Sequence, residues 1–517
     1  MELSCRRDTV LLQKVLYDGI LEQSVETEHL LPDYCPSIFR ILRQKTDPHI
    51  TCLKISGSRL IIEGICRIEI LYTAEESFAP GSVTLRQRFE RTVELKDLPK
   101  DSAVTASVRC DYINCRAVSP RRLDIRGALL IHAAVSAKTE QTVLSGAKGM
   151  GICTDTVSLD ALKTHLTALQ EFTVREPLPL SYGKPPVGSV LSLEASAKCT
   201  ECRVIANRAI AKGEVNVKLL YLPKDGAAPE RMEHAFPVSQ VLDVPGLSET
   251  CSVRVHFSVS DIDPVVHSTE DPAEPAVSAS FSLCAFCEAM ENAQITAVRD
   301  AYSTRYETHT TAASLSVRRL LCPVKETRTV RCAVLAEGEP FFAVYDASAA
   351  FVPGETRITE AKAAVSGTLC VWVLGASESG APFCRESKTP CELLFDARAF
   401  DAAPTFSPDI AVTDVSYRIL SENETEVTAE VLITGFFVGE ETAAAVDGIT
   451  ADENARFTDD TPAIRLCFAE SGERIWDIAK QYRTDPDGIR AENETAEDTL
   501  DAPCVLLIPA PLAAQEE

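Results

Sequence analysis

The sequence predicts a mainly β protein, in which three tandem β-rich repeats, sandwich-like or open-barrel-like, are followed by a small strand-helix-helix-strand domain. Three observations support this prediction. A strand pattern that begins with glycine occurs three times. Short alternating segments and connections rich in Pro and Gly dominate the chain before residue 440, as is typical of antiparallel sheets. From Ile464 onward the apolar spacing changes to that of helices between two strands.

The three glycine-anchored strands begin at Gly64, Gly213 and Gly367. Side chains two positions apart lie on the same face of a strand, so the alternation predicts one apolar face in each. Corresponding positions lie 149 residues apart in the first two repeats and 303 residues apart in the first and third. The predicted apolar columns are Cys66, Ile68, Ile70 and Tyr72; Val215, Val217, Leu219 and Tyr221; and Leu369, Val371 and Val373.

The opposite faces of the first two strands carry polar side chains, namely Arg67, Glu69, Asn216 and Lys218. We expect these to be solvated unless a neighbouring repeat covers them. Each repeat is predicted to close with a further alternating strand, at 126–135, 277–286 and 426–436.

The predicted domains follow from these patterns. The repeats occupy residues 1–154, 155–300 and 301–439, and the third is the most divergent. Leucines at helical spacing in 156–171 predict a linker helix at the start of the second repeat. Residues 440–462 are rich in acidic side chains and predict an extended, self-repelling linker before a last domain at 463–510.

Composition excludes several classes of function. With 51 Lys and Arg against 76 Asp and Glu, the formal charge is −25, which disfavours nucleic acid as a partner. We expect no transmembrane segment, because no window approaches the roughly 20 apolar residues that a span requires. The N-terminal residues do not have the pattern of a secretory signal. The 19 cysteines are therefore expected to be thiols in a reducing cytosol.

The sequence offers few residues for catalysis or for metal binding. Two Cys-x-x-Cys pairs, Cys199/Cys202 and Cys284/Cys287, have the residue types of a zinc site. Both pairs lie in or beside predicted strands, where residues three apart fall on opposite faces, so buried thiols are the preferred interpretation. The eight histidines are scattered and no phosphate-binding glycine loop is recognisable. We expect a protein without enzymatic activity, bound metal or cofactor.

The C-terminal domain contains residue patterns that are typical of helices and strands. Ile475, Ile478 and Tyr482 are spaced as one face of a helix. Thr484 or Asp485 is a suitable N-cap for a second helix that has Pro486 in its first turn. Residues 504–509 form a returning apolar strand.

This domain resembles LysM domains. The resemblance rests on Ser-Gly-Glu-Arg-Ile-Trp-Asp-Ile-Ala-Lys-Gln-Tyr at 471–482, Glu-Asn at 492–493 and Leu-Leu-Ile-Pro at 506–509. It implies a βααβ fold that binds N-acetylglucosamine-containing glycan or docks on a protein. The candidate contact residues are Gly472, Glu473, Arg474, Ile475, Trp476 and Asn493.

The order of repeats and terminal domain also resembles a family. Leu-Leu-Pro at 30–32, Leu-Pro-Leu at 178–180, the glycine-anchored strands and the LysM-like end resemble the SPOCS-domain proteins of endospore formers. The resemblance implies a scaffold or adaptor in the mother-cell cytoplasm at the forespore surface. Its implied partners are a coat-basement morphogenetic ATPase and other coat proteins.

Two alternatives remain open. One is a protein that binds peptidoglycan or cortex glycan through the LysM-like domain. The other is a wall enzyme, for which no catalytic constellation is recognisable.

Overall fold

A computed structural model describes residues 2–75, 79–96, 98–226, 228–267, 277–359, 362–396, 403–457 and 464–510. The described chain is mainly β, with short helices only near the C-terminus. Its strands form several small antiparallel sheets, and none of these sheets closes into a barrel within the described ranges.

Three pairs of sheets follow one another along the chain. The first pair has strand orders β2-β3-β4 and β1-β6-β5. The second has β8-β9-β10 and β11-β12-β7. The third has β14-β15-β16 and β13-β19-β17, with β18 also paired to β19. The middle strands β3, β9 and β15 are those that the glycine pattern predicts.

The strand bounds are as follows. The first pair contains β1 (Ser4–Leu30), β2 (Ile38–Ser56), β3 (Arg59–Ala74), β4 (Pro80–Glu94), β5 (Ala103–Ser119) and β6 (Arg122–Lys148). The second contains β7 (Ile152–Leu178), β8 (Val187–Ile205), β9 (Arg208–Pro223), β10 (Glu230–Asp243), β11 (Ser252–Val266) and β12 (Val277–Ser303). The third contains β13 (Tyr306–Leu335), β14 (Ala343–Ile358), β15 (Lys362–Ala376), β16 (Pro382–Asp396), β17 (Ala403–Phe406), β18 (Asp409–Ser421) and β19 (Glu424–Arg456).

Each pair of sheets encloses apolar side chains from both of its layers. Every residue of the predicted apolar columns is buried, which confirms the alternation in β3, β9 and β15. An aromatic ring packs on each anchor glycine, where an added Cβ would lie under 3.0 Å from the ring. These contacts are Gly64 with Phe89, Gly213 with Phe257 and Gly367 with Phe351.

The predicted linker helix at 156–171 is wrong, because this segment belongs to β7, which pairs with β12 throughout. The pairing shifts by one residue at Lys163, where Thr164 faces Glu291 and Leu162 faces Asn292. Such a bulge interrupts the two-residue alternation. Leu159 and Leu162 both precede the bulge and belong to different apolar clusters, so both faces of β7 are covered there and the two leucines acquire a spacing that imitates a helix.

The predicted acidic linker is also wrong for 440–456, which continue β19 and pair with β13. Residue 457 lies outside the strand, and 458–463 lie outside the described residues. Ala445, Val446 and Ile449 are buried, whereas the acidic residue between them, Asp447, is exposed. Arg319 on β13 forms an ion pair with Glu441 at 3.4 Å. Backbone pairing and this buried face offset the repulsion among the acids.

Three long hairpin ends form a further structural feature. The far parts of β1 and β6, of β7 and β12, and of β13 and β19 extend beyond the two-sheet cores. We call these paired ends the three ribbons; they comprise 4–14 with 138–148, 152–162 with 292–303, and 306–320 with 438–456. They bury a shared apolar cluster that includes Leu12, Val143, Leu159, Ile295, Leu315 and Val317.

The C-terminal domain has the order β20 (Ile464–Ala469), α1 (Ile475–Tyr482), α2 (Pro486–Glu492) and β21 (Cys504–Pro509). The two strands pair antiparallel, from Ile464 with Pro509 to Ala469 with Cys504. Asp485 caps α2 through its side chain, as one of the two predicted alternatives requires. The strand-helix-helix-strand order therefore agrees with the sequence pattern.

Candidate functional site

The three pairs of sheets meet at equivalent positions of their middle strands. Leu71, Leu220 and Leu374 pack together at this junction. Their cross-strand partners on β2, β8 and β14 are Arg43, Ser192 and Asp346. These positions lie 149 and 303 residues apart, as the sequence pattern requires. The same position of the pattern is thus a cation in the first pair of sheets, a hydroxyl in the second and a carboxylate in the third.

Arg43 connects all three pairs of sheets. Its Nη2 lies 2.6 Å from Oε1 of Glu69, and its Nη1 donates to Oγ of Ser348 at 2.9 Å. The Ser192 hydroxyl donates to the same Glu69 carboxylate at 2.8 Å. Asp346 lies 3.9 Å from the Arg43 guanidinium. We call these five side chains the central network.

Burial controls the electrostatics around the central network. Burial and the neighbouring Glu194 carboxylate raise the pKa of Asp346 to about 6, although Arg43 opposes the shift. Burial also opposes ionisation of Glu194, but Lys45 and Arg43 outweigh it and lower the pKa of Glu194 to about 2. Lys45 lies 2.9 Å from Glu194 and so joins the first pair of sheets to the second.

The polar face of β3 is covered by its neighbours rather than solvated. Arg67 and Glu69 are buried, while Asn216 and Lys218 at the corresponding positions of β9 are half-buried. The sequence left open whether these side chains are solvated or covered by a neighbouring repeat. Arg67 and Glu69 are covered. Neither residue's own strand could reveal this, because the covering side chains come from other parts of the chain.

A second polar chain also crosses between the pairs of sheets. Ser136 Oγ lies 2.7 Å from Nδ1 of His165, and Nε2 of His165 lies 2.8 Å from Glu288. Arg254 donates to Glu288 at 2.6 Å and also contacts Asp409, near the start of β18. We call these residues the lateral chain.

The lateral chain contains a serine, a histidine and a carboxylate in hydrogen-bond contact, an arrangement also found in hydrolases. The Ser136, His165 and Glu288 residues are each at most 8% exposed. A substrate cannot reach the Ser136 oxygen without displacing these packed strands, so the geometry supports a structural link. No sequence motif predicts this cluster, because Ser136, His165 and Glu288 lie on three different strands and meet only after these have packed.

The C-terminal domain rests on the end of the ribbon formed by β7 and β12. The Trp476 indole N–H donates to Asp300 at 2.9 Å, and Lys480 contacts the same carboxylate at 2.6 Å. Arg474 donates to Asp155 at 3.1 Å. Two of the predicted contact residues are thus engaged within the chain.

Aromatic packing extends this attachment. The Tyr302 ring lies 4.9 Å from the Trp476 ring, between centroids, and its hydroxyl donates to the backbone oxygen of Thr484 at 2.6 Å. Burial, assisted by nearby Cys153, raises the pKa of Tyr302, so its hydroxyl remains a donor at neutral pH. Tyr302 joins the apolar core of the C-terminal domain.

The remaining predicted contact residues have different environments. Ile475 is fully buried in the domain core. The Asn493 amide exchanges two hydrogen bonds of 2.8 Å with the backbone of Leu507 and so orients β21. Gly472 and Glu473 are exposed, and Gly472 has φ 90°, a turn conformation that favours glycine.

An exposed apolar surface lies elsewhere on the same domain. Leu466 and Phe468 on β20 are 62% and 82% exposed, and their cross-strand partners Leu507 and Val505 are 39% and 50% exposed. The structure therefore directs Trp476 inward and leaves this sheet face open.

The cysteines are free thiols in the structure. In the described ranges, no group of three or more His, Cys, Asp or Glu side chains has an arrangement that could hold a metal ion. Burial raises the pKa of the Cys287 thiol to about 12 and that of Cys202 to about 11. Both thiols are therefore protonated near neutral pH and are poor nucleophiles.

Comparison with protein families identifies two segments. Residues 37–118 and 186–266 match the family described as SipL, SPOCS domain. The chain thus contains two segments of SPOCS-domain sequence. The matched segments begin just before β2 and β8 and extend through β5 to Val118 and through β11 to Val266, so each contains one glycine-anchored strand. No curated protein and no solved structure matches the chain.

The SPOCS domain indicates a protein related to sporulation. Over the described residues, the structure contains no helix of the length and apolarity needed to span a membrane.

Proposed function

We propose that this SPOCS-domain protein is a non-enzymatic scaffold of endospore coat assembly, which acts at the forespore surface in the mother-cell cytoplasm. The three pairs of sheets are copies of one repeat, and the third copy lies beyond the matched segments. The C-terminal βααβ domain is a LysM-like module that recruits the coat-basement ATPase. The pairs of sheets hold other coat proteins.

The observation that carries this proposal is the common register of the three middle strands within a SPOCS-domain chain. Leu71, Leu220 and Leu374 occupy equivalent positions, and the first two lie within the matched segments. Around them, the central network joins the three copies through buried hydrogen bonds. Several binding surfaces held in fixed relation raise the effective concentration of each further partner.

The attachment of the C-terminal domain limits which of its residues meet a partner. Gly472 and Glu473 are exposed and available, whereas Trp476 and Arg474 already bind Asp300 and Asp155. In this proposal Trp476 holds the domain on the ribbon, and the ATPase contacts the exposed surface.

The test is affinity capture from sporulating cells, with the full chain and with a chain that ends at Phe457 as baits. We expect the full chain to recover coat proteins together with the ATPase, and the shortened chain to lose the ATPase but to retain coat proteins. Circular dichroism of the shortened chain checks that its β structure persists. Recovery of the same proteins by both baits would count against recruitment through the C-terminal domain.

Glycan binding by the C-terminal domain is the second candidate, and the observed βααβ order supports it. It predicts retention of the full chain on purified peptidoglycan and loss of this retention in the shortened chain. Retention on peptidoglycan without recovery of coat proteins would favour this candidate over the scaffold.

A further inference from the structure

A cavity of about 470 Å³ lies where the three pairs of sheets meet. Its lining includes residues of β2, β8 and β14, so all three pairs of sheets contribute to it. This volume is in the range of small-molecule sites, which often occur between domains. Asp47 and Asp414, both on its lining, have side chains 41% and 53% exposed, so solvent reaches the cavity.

The cavity begins where the central network ends. On β3, Glu69 belongs to the central network and Arg67, two positions earlier on the same face, lines the cavity. The cross-strand partner of Arg67 is Asp47. In the second pair of sheets, the corresponding cross-strand partners are Ser196 and Asn216. In the third pair of sheets, the residue that corresponds to Asp47 is Ala350.

The carboxylates that line the cavity all have a cation or a histidine as partner, whereas two of its arginines form no direct ion pair among the described residues. Four carboxylates line it, and each contacts a cation or a histidine within the chain. These contacts are Asp47 with His49 at 3.0 Å, Glu194 with Lys45 at 2.9 Å, Asp414 with Lys218 at 3.4 Å, and Asp409 with Arg254. The lining also contains Arg67 and Arg109, which have no carboxylate within 4.0 Å in the described part of the chain.

Arg67 is the buried member of these two arginines, with only 7% exposure. It donates one hydrogen bond, from Nη1 to the backbone oxygen of Leu193 at 3.1 Å. Asp47 and Glu194 interact electrostatically with Arg67 without a direct ion pair. A guanidinium has five N–H donors, however, so most of those of Arg67 can still bind a ligand. An anion that enters the cavity would therefore gain a charge-assisted, bidentate partner.

Neutral groups around Arg67 are also available to a ligand. Within the described ranges, neither the Asn216 amide nor the His256 ring makes a hydrogen bond, and both line the cavity. Burial lowers the pKa of His256, although Asp409 opposes the shift, so the ring is neutral at pH 7. The third pair of sheets adds apolar residues to the lining, namely Ala350, Val352, Pro353, Ile410 and Val412.

We infer that this cavity binds a small organic molecule with one carboxylate and a compact apolar body. The carboxylate contacts Arg67, Asn216 or His256 donates to it, and the apolar body lies against the third pair of sheets. This site is independent of the scaffold role, because it requires neither the C-terminal domain nor a protein partner.

The test uses matched probes on the full chain. N-acetyl-L-leucine, N-acetyl-L-phenylalanine and hexanoate carry the carboxylate, and their primary amides have the same shape without the charge. We expect at least one carboxylate to raise the melting temperature at millimolar concentration, as a ligand that binds only the folded state does. Calorimetric titration should find its amide at least about tenfold weaker.

Two variants locate the site. Arg67→Met removes the cation, and Ala350→Phe fills the cavity without a change of charge; each should weaken binding at least about tenfold. Arg59→Met is the matched control, since the Arg59 side chain is 60% exposed and lies at the start of the same strand. If Arg67→Met does not fold, Ala350→Phe decides alone. The inference is overturned if no carboxylate binds, if the amides bind equally well, or if Ala350→Phe binds as the natural chain does.

Discussion

At the scale of single residues, the notable feature is where the buried charges lie. Arg43, Glu69 and Asp346 occupy the junction of the three pairs of sheets, and Arg254 contacts Asp409 of the third pair of sheets at a second crossing. Buried pairs contribute little net stability, but the loss of one partner leaves the other uncompensated. These residues therefore make the contact between sheet pairs specific.

Glu288→Gln tests the lateral chain through its pH dependence. Burial disfavours the charge, but Arg254 and His165 outweigh it and lower the pKa of Glu288 to about 2. An acid with a lowered folded-state pKa stabilises the fold above its unfolded-state value near 4.5, and this stability is lost as the pH falls toward 2. We expect the variant to lose about 3 kcal/mol of unfolding free energy at pH 7.

Urea unfolding at a series of pH values measures this difference. The difference in unfolding free energy between the natural chain and Glu288→Gln should become smaller as the pH falls from the unfolded-state pKa of Glu288 toward its folded-state pKa. Glu28→Gln is the control: Glu28 pairs with Arg122 at the surface, where its side chain is 58% exposed, and we expect little effect. A constant gap at every pH would show that Glu288 is not the titrating group.

At the scale of elements, the sequence alone predicted the middle strands and the order of strands and helices after Ile464. Gly64, Gly213 and Gly367 marked strands in which alternate residues are apolar, because that face of each strand packs in a two-sheet core. The helices after Ile464 were also predictable, because Asp485 and Pro486 are typical residues at the start of a helix.

The failures at this scale have physical causes. Apolar clusters cover both faces of β7 near Leu162, which gives its leucines a helical spacing. Most acidic residues in 440–456 are exposed, and the partner of this part of β19 is more than 100 residues away in sequence. The central network and the lateral chain were not predictable, because each requires the packing of separate sheets. The docking of Trp476 on Asp300 was hidden for the same reason.

Gly213→Ala tests why the anchor must be glycine. The new Cβ would lie 2.5 Å from the backbone oxygen of Lys198 and 2.8 Å from the Phe257 ring. The backbone oxygen cannot move aside cheaply, so we expect a loss of about 2 kcal/mol and a lower melting temperature. Gly146→Ala is the control, because no heavy atom lies within 4 Å of its added Cβ. Equal melting temperatures for the two variants would refute this role of Gly213.

At the scale of the whole molecule, three pairs of sheets, three ribbons and a docked C-terminal domain are connected by contacts distant in sequence. Arg43 contacts Ser348 across 305 positions, and Arg474 contacts Asp155 across 319. In the proposed scaffold, such connections would hold bound partners in fixed relation to one another.

Differential scanning calorimetry of the full chain tests most directly whether the pairs of sheets act as one body. We expect them to unfold in one transition whose calorimetric and van't Hoff enthalpies agree. Arg43→Met, which removes the cation at the junction, should shift this transition as a whole to lower temperature. Separate transitions for the three pairs of sheets in the natural chain, or a shift of one pair alone in Arg43→Met, would contradict a single connected scaffold.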